Sequence, residues 1–127
     1  MAVTTMPSTT IPNYQEIARR YANAWNTHDV GAIMAMHSDD TLYHLHGEAE
    51  VYRGREAVAG KFAKQLKQVP DIHFDLKSLY GSGDHFVFEA VITYSRNGQP
   101  ARFDGIDLIT IHDGLVVRKN SYMIKAD

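Results

Sequence analysis

The sequence predicts an α+β domain in which N-terminal helices cover one face of a curved, mainly antiparallel sheet. Three observations carry this. Apolar residues recur at three- and four-residue spacings in two early stretches, 13–36 and 55–69. After Pro70, four stretches in a row carry strand-like patterns, most clearly the period-two alternation of 72–80 and 103–111. Short glycine-containing turns separate them: Gly81-Ser82-Gly83-Asp84, Arg96-Asn97-Gly98-Gln99-Pro100 and His112-Asp113-Gly114. Such turns join neighbouring strands, so the four stretches read as a meander.

Taken in order, residues 1–12 have neither a basic start nor an apolar stretch. They read as a loose tail before a single domain over 13–127. Asn13, with Glu16 three residues on, caps a first helix whose stripe is Ile17, Ala18, Tyr21, Ala24 and Trp25. Asn26-Thr27-His28-Asp29 ends it, and Asp29 caps a second helix from Val30 to Met36 that brings Ile33, Met34 and His37 together. Ser38-Asp39-Asp40 breaks that helix. Thr41 to His46 alternates as a strand, with Leu42, His44 and His46 on one face and Thr41, Tyr43 and Leu45 on the other. Gly47 to Glu50 turns, and Val51 to Gly54 leads into a third helix. Its stripe of Val58, Phe62, Leu66 and Val69 is stopped by Pro70. The meander strands are expected at Ile72–Tyr80, His85–Ser95, 102–111 and Leu115–Ile124.

Composition narrows the function. At 127 residues the chain is long enough to bury a core, and 44% hydrophobic with 22% charged residues is ordinary for a soluble domain. A net charge of -2 without a basic run argues against a nucleic-acid or anionic-membrane surface. The chain has no cysteine, which excludes disulfides, thiolate catalysis and zinc–thiolate sites. No apolar run approaches the roughly 18 residues that span a bilayer, so a cytoplasmic protein is expected.

The chemistry centres on Asp107. Strand phase sets it beside Phe103, Ile109 and Ile111. A carboxylate there must be paired, hydrogen-bonded or neutralised, and such acids cluster at active sites. The plainer alternative is a structural aspartate bonded to a neighbouring backbone group or hydroxyl. Among the histidines, His28, His85 and His112 fall in turns. His73 alternates with Asp75 and Lys77 and reads toward solvent or an interface. His44 and His46 share a strand face, close enough for a proton relay, but no third ligand accompanies them and no metal is expected. Glu89 lies in the apolar run Phe86 to Val91. It reads as paired with Arg102, Arg118 or Lys119, with a catalytic role as the alternative.

Several segments together carry a family likeness: Tyr21 to Asp29 (YANAWNTHD), Ser38 to His44 (SDDTLYH), Tyr52 to Val58 (YRGREAV), Pro70 to Phe74 (PDIHF), Gly105-Ile106-Asp107 and His112-Asp113-Gly114. Over residues 13–124 the chain resembles a SnoaL-like polyketide-cyclase domain of the nuclear transport factor 2-like superfamily, to which ketosteroid isomerase also belongs. The resemblance implies a cone-shaped α+β barrel with one blind apolar pocket, a homodimer, a hydrophobic small-molecule ligand and no cofactor. Asp107 matches the acid/base aspartate of SnoaL-type cyclases and the protonated oxyanion-hole aspartate of the isomerase. Tyr21 matches the isomerase's oxyanion-hole tyrosine. Trp25, Tyr43, Leu45, Phe62 and Ile109 are the expected pocket walls. The departures matter too: the isomerase's general base falls at Leu45 and its second pocket tyrosine at Phe62. The cyclases' pocket histidine falls within Ile92-Thr93-Tyr94. The implied function is an enzyme acting on a hydrophobic carbonyl compound by enolate and acid–base chemistry, of the aldol-cyclase or isomerase type. Two alternatives stand beside it: a ligand-binding or subunit protein without catalysis, and a dehydratase using His73 or the His44/His46 pair.

Overall fold

The first helix, α1 (Tyr14–Asn26), starts where the Asn13 side chain accepts the backbone N–H groups of Gln15 and Glu16. That satisfies two of the donors a helix start leaves open. The computed structural model describes residues 13–125; the expected tail at 1–12 and the last two residues of the expected domain lie outside the described residues. Asp29 caps α2 (Val30–Met34) in the same way, through Gly31 and Ala32.

Helix α2 ends before Met36, and the next strand begins earlier than the sequence pattern suggests. Strand β1 (His37–Leu45) takes in the Ser38-Asp39-Asp40 segment expected to be a break. The cause is pairing with the end of the chain. Val116 N–H donates to Met36 O at 2.8 Å, and His37 pairs in parallel with Val116. The backbone groups that would continue the helix are therefore already engaged. β2 (Val51–Arg53) pairs antiparallel with β1, and α3 (Arg55–Gln68) follows, burying Val58, Phe62 and Leu66.

The meander runs through β3 (His73–Ser82), β4 (His85–Arg96), β5 (Gln99–His112) and β6 (Leu115–Lys125). Its strands are longer than expected because the turns are shorter. Asn97 and Gly98 have φ of 53° and 77°, and Asp113 and Gly114 have φ of 52° and 77°. Two left-handed residues in succession make the tight hairpin turn that matches strand twist. The expected loop over 96–100 thus contracts to two residues.

The six strands form one sheet in the order β2-β1-β6-β5-β4-β3. Only the β1–β6 pairing is parallel. The sheet is a curved, open cone rather than a closed barrel, with β2 and β3 as its edges. Its concave face holds the core: Tyr21 and Trp25 of α1 and Phe62 of α3 meet Phe86, Phe88, Ile109, Ile111 and Val116. Its convex face leaves Ile106, Leu108, Tyr122 and Ile124 exposed. Among the described residues, no helix is long and apolar enough to cross a membrane.

Candidate active site

Between α1, the end of α3 and the concave face of β4–β6 lies a cavity of about 170 Å³. Trp25, Phe74, Phe88, Ile92 and Met123 give it aromatic and aliphatic walls. Gly105 keeps it open, since a Cβ there would lie 2.5 Å from Ile92 Cδ1. Gln68 and Arg96 line it as exposed residues and mark its mouth. Three polar side chains, Asp107, Lys119 and Ser121, stand in the wall although each is buried.

Those three belong to a longer buried chain. Ser121 Oγ donates a short hydrogen bond to Asp107 Oδ1, its partner across the β5–β6 ladder. Lys119 Nζ stands 3.7 Å from Asp107 Oδ2 and donates to the Tyr21 hydroxyl at 3.3 Å. The Tyr21 oxygen lies 2.8 Å from His37 Nε2, and His37 Nδ1 lies 2.7 Å from Thr41 Oγ1. An ammonium can only donate, so the Tyr21 oxygen accepts from it and turns its own proton to His37 Nε2. His37 then carries its proton on Nδ1 and donates it to Thr41, a tautomer assigned from the network. Six side chains from α1, β1, β5 and β6 are thus in direct succession.

Burial sets the electrostatics. It pushes the Tyr21 phenol well above its ordinary range, and the Asp107 carboxylate adds to the rise. The Trp25 indole N–H works against it, yet Nε1 makes no hydrogen bond of normal geometry among the described residues. Burial also raises Tyr43, whose hydroxyl accepts from Gln65 Nε2 at 3.1 Å. His37 is lowered to about 3 by burial first, then by the charges of Lys119 and Arg55. It is therefore neutral near pH 7. Lys119 is lowered by burial, and the Asp107 carboxylate opposes that fall. The Lys119 nitrogen also sits in an aromatic cage, 4.5 Å from the Trp25 ring centre, 4.8 Å from Tyr21, 5.2 Å from Phe62 and 5.6 Å from Tyr43. Ring faces attract a cation, and more strongly where water is excluded.

The sequence-derived residues divide cleanly. Asp107, Trp25 and Tyr43 line the cavity. Tyr21 is fully buried and reaches the cavity only through Lys119. Phe62 and Ile109 are buried outside the lining, and Leu45 is half-buried away from it. His44 and His46 lie on the convex face, 3.9 Å apart between ring centres, with His46 stacked on Tyr122 at 4.2 Å. His73 is exposed on the edge strand β3. Glu89 is a correction: it faces solvent on the convex side, accepts from Ser78 Oγ at 2.9 Å, and makes no ion pair with Arg102, Arg118 or Lys119. Its neighbours Phe88 and Ala90 take the buried phase of β4, which leaves the other phase to Glu89.

Sequence reasoning missed the roles of Lys119, Ser121, His37 and Thr41. Lys119, one of three partners the sequence offers Glu89, pairs instead with Asp107. Among the described residues no three His, Cys, Asp or Glu side chains converge as metal ligands.

Comparison with known proteins places the fold in a family. The family model of the SnoaL-like domain matches residues 18–119. No curated protein matches the chain. Among solved structures, a protein of ketosteroid isomerase-like fold from Catenulispora acidiphila, in complex with trimethylamine, is 24% identical with a TM-score of 0.77, covering 84% of each chain. A putative SnoaL-like polyketide cyclase from a Jannaschia species is 17% identical with a TM-score of 0.78, covering 94% of this chain and 91% of its own. A putative ketosteroid isomerase from Kribbella flavida is 21% identical with a TM-score of 0.75, covering 88% and 78%.

Proposed function

The chain belongs to the SnoaL-like domain family, and from that premise we propose that it is a small-molecule enzyme acting on a hydrophobic carbonyl compound through enolate chemistry. One juxtaposition supports the reading: a carboxylate and an ammonium stand 3.7 Å apart in the wall of a cavity with aromatic and aliphatic sides. A ligand carbonyl directed at Lys119 has its oxygen polarised by the cation, with Tyr21 behind it. The carbon next to that carbonyl then lies near Asp107, which removes its proton. In a water-poor site such fixed charges act far more strongly than in bulk solvent.

The cavity limits the ligand. A cavity of about 150 Å³ takes a benzene-sized molecule, so the buried part of the ligand is about one ring, and anything larger projects past Gln68 and Arg96. The aromatic cage beside the cavity is filled by the chain's own lysine. A second cation would meet a like charge, so a neutral or anionic carbonyl compound fits better. The same proposal takes the protein to be cytoplasmic and a homodimer through the convex face, whose exposed Ile106, Leu108 and Tyr122 give an apolar surface.

A second reading, a binding protein without catalysis, draws support from the way Asp107 is already satisfied by Ser121 and Lys119. Exchange of the α-hydrogens of cyclohexanone in D2O, followed by NMR, separates the two. The enzyme reading expects catalysed exchange that falls about 10²- to 10⁴-fold in Asp107→Asn, the usual contribution of a positioned base. Exchange at the buffer rate with the wild-type protein supports the binding reading.

A further inference from the structure

We propose that Lys119 is a nucleophile, and that the site activates an aldehyde or ketone covalently, as a protonated imine on Lys119 Nζ. This deepens the carbonyl reading above and rests on it. Four features of the cavity point the same way.

Lys119 is 3% exposed and lines the cavity, so its amine is reached from the cavity rather than from the outer surface. Its only polar partners among the described residues are the Tyr21 hydroxyl and Asp107, the latter at a separation longer than a tight ion pair. Burial favours the free amine, which is the form that attacks a carbonyl. The four surrounding rings and the Asp107 carboxylate stabilise a positive charge at this point, and an iminium carries that charge in the same place as the ammonium.

The balance of the step follows from those groups. Lys119 gives a proton to Asp107, and its lone pair forms a C–N bond to the carbonyl carbon. The carbonyl oxygen takes the proton back from Asp107, giving a carbinolamine. The nitrogen passes its next proton to Asp107, which delivers it to the hydroxyl, and water leaves as the C=N bond forms. The nitrogen keeps one hydrogen and the positive charge. Overall, ammonium plus carbonyl becomes iminium plus water, and the net charge of the site is unchanged. Asp107, a carboxylate again, is then placed to take a hydrogen from the carbon beside the iminium, leaving a neutral enamine. The iminium is a better electron sink than the parent ketone, so a single carboxylate suffices where Leu45 offers no base.

The test is reductive trapping of the full chain with cyclohexanone and sodium cyanoborohydride at pH 7, read by intact mass and peptide mapping. The six lysines compete, and the five others, Lys61, Lys64, Lys67, Lys77 and Lys125, serve as internal controls. The expected result is one reduced adduct per chain, mapped to Lys119, lost in Lys119→Arg and formed about a hundredfold more slowly in Asp107→Asn. Mapping on the wild-type protein decides the matter even if a variant fails to fold. No adduct at Lys119, or labelling spread over the other lysines and unchanged in Lys119→Arg, overturns the inference. Cyclohexanone α-hydrogen exchange by the wild-type protein without an adduct overturns it while leaving the enolate reading standing. An adduct without exchange does the reverse.

Discussion

Strands β5 and β6 show opposite chemistry on their two faces, and each face inverts the usual rule. Inward, Asp107, Lys119 and Ser121 are buried in the cavity wall. Outward, on the same ladder, Ile106 is 41% exposed, Leu108 37% and Tyr122 41%. Two ions taken out of water cost several kcal/mol each, and their mutual attraction seldom returns more than that. Well-packed apolar side chains would serve stability at least as well. The inner polar residues are thus poor candidates for mere fold support and good ones for chemistry. The outer apolar residues contribute little to the monomer's core, which suits a surface that another molecule covers.

Breaking the inner pair tests that contrast with the largest effect. Asp107→Leu leaves Lys119 buried without its counter-charge and is expected to cost about 3–5 kcal/mol in urea denaturation. Asp107→Leu with Lys119→Met removes both charges, and the double variant should recover most of that loss or exceed the wild type. A double variant no more stable than Asp107→Leu would mean that the pair holds the fold together after all.

Acid exposes the other end of the buried chain. His37 has a folded pKa of about 3 against an ordinary value of 6.5, so between those values the unfolded chain binds a proton that the folded chain refuses. Stability therefore falls as pH drops from about 6.5 toward 3, by an amount on the order of 5 kcal/mol from this residue. His37→Gln keeps a polar group beside Tyr21 but cannot titrate. Its stability should slope less steeply with pH over that window than the wild type's, and equal slopes would show that His37 titrates freely. The convex face predicts the smallest change in stability. Ile106→Arg should alter the unfolding free energy by less than about 0.5 kcal/mol, yet shift the sedimenting mass toward that of one 14.3 kDa chain. An unchanged mass would point away from this face as the contact.

The fold was legible because alternation, turn residues and the Pro70 stop act locally. Asp107 was legible for the same reason: its phase with Ile109 and Ile111 is unbroken and all three are buried. Lys119 was not, and a bulge explains why. The register between β5 and β6 shifts between Thr110 and Ile111, opposite Arg118 and Val116. Val116 and Lys119 consequently both face inward although three residues apart. Strict alternation from Val116 sends Lys119 to solvent, where lysine is ordinarily found. His37 was hidden differently, since its strand conformation depends on pairing with a segment about eighty residues later in the chain. No local pattern reports such a pairing.

If Asp107 and Lys119 work as one unit on a carbonyl ligand, a double-mutant cycle on α-hydrogen exchange reveals the coupling. Exchange of cyclohexanone is measured for the wild type, Asp107→Asn, Lys119→Arg and the two combined. Residues that act as a unit are strongly non-additive. Each single variant should fall to the buffer rate, with the double variant falling no further. Wild-type exchange at the buffer rate, or single losses that multiply in the double variant, would mean that Asp107 and Lys119 do not act together on the ligand.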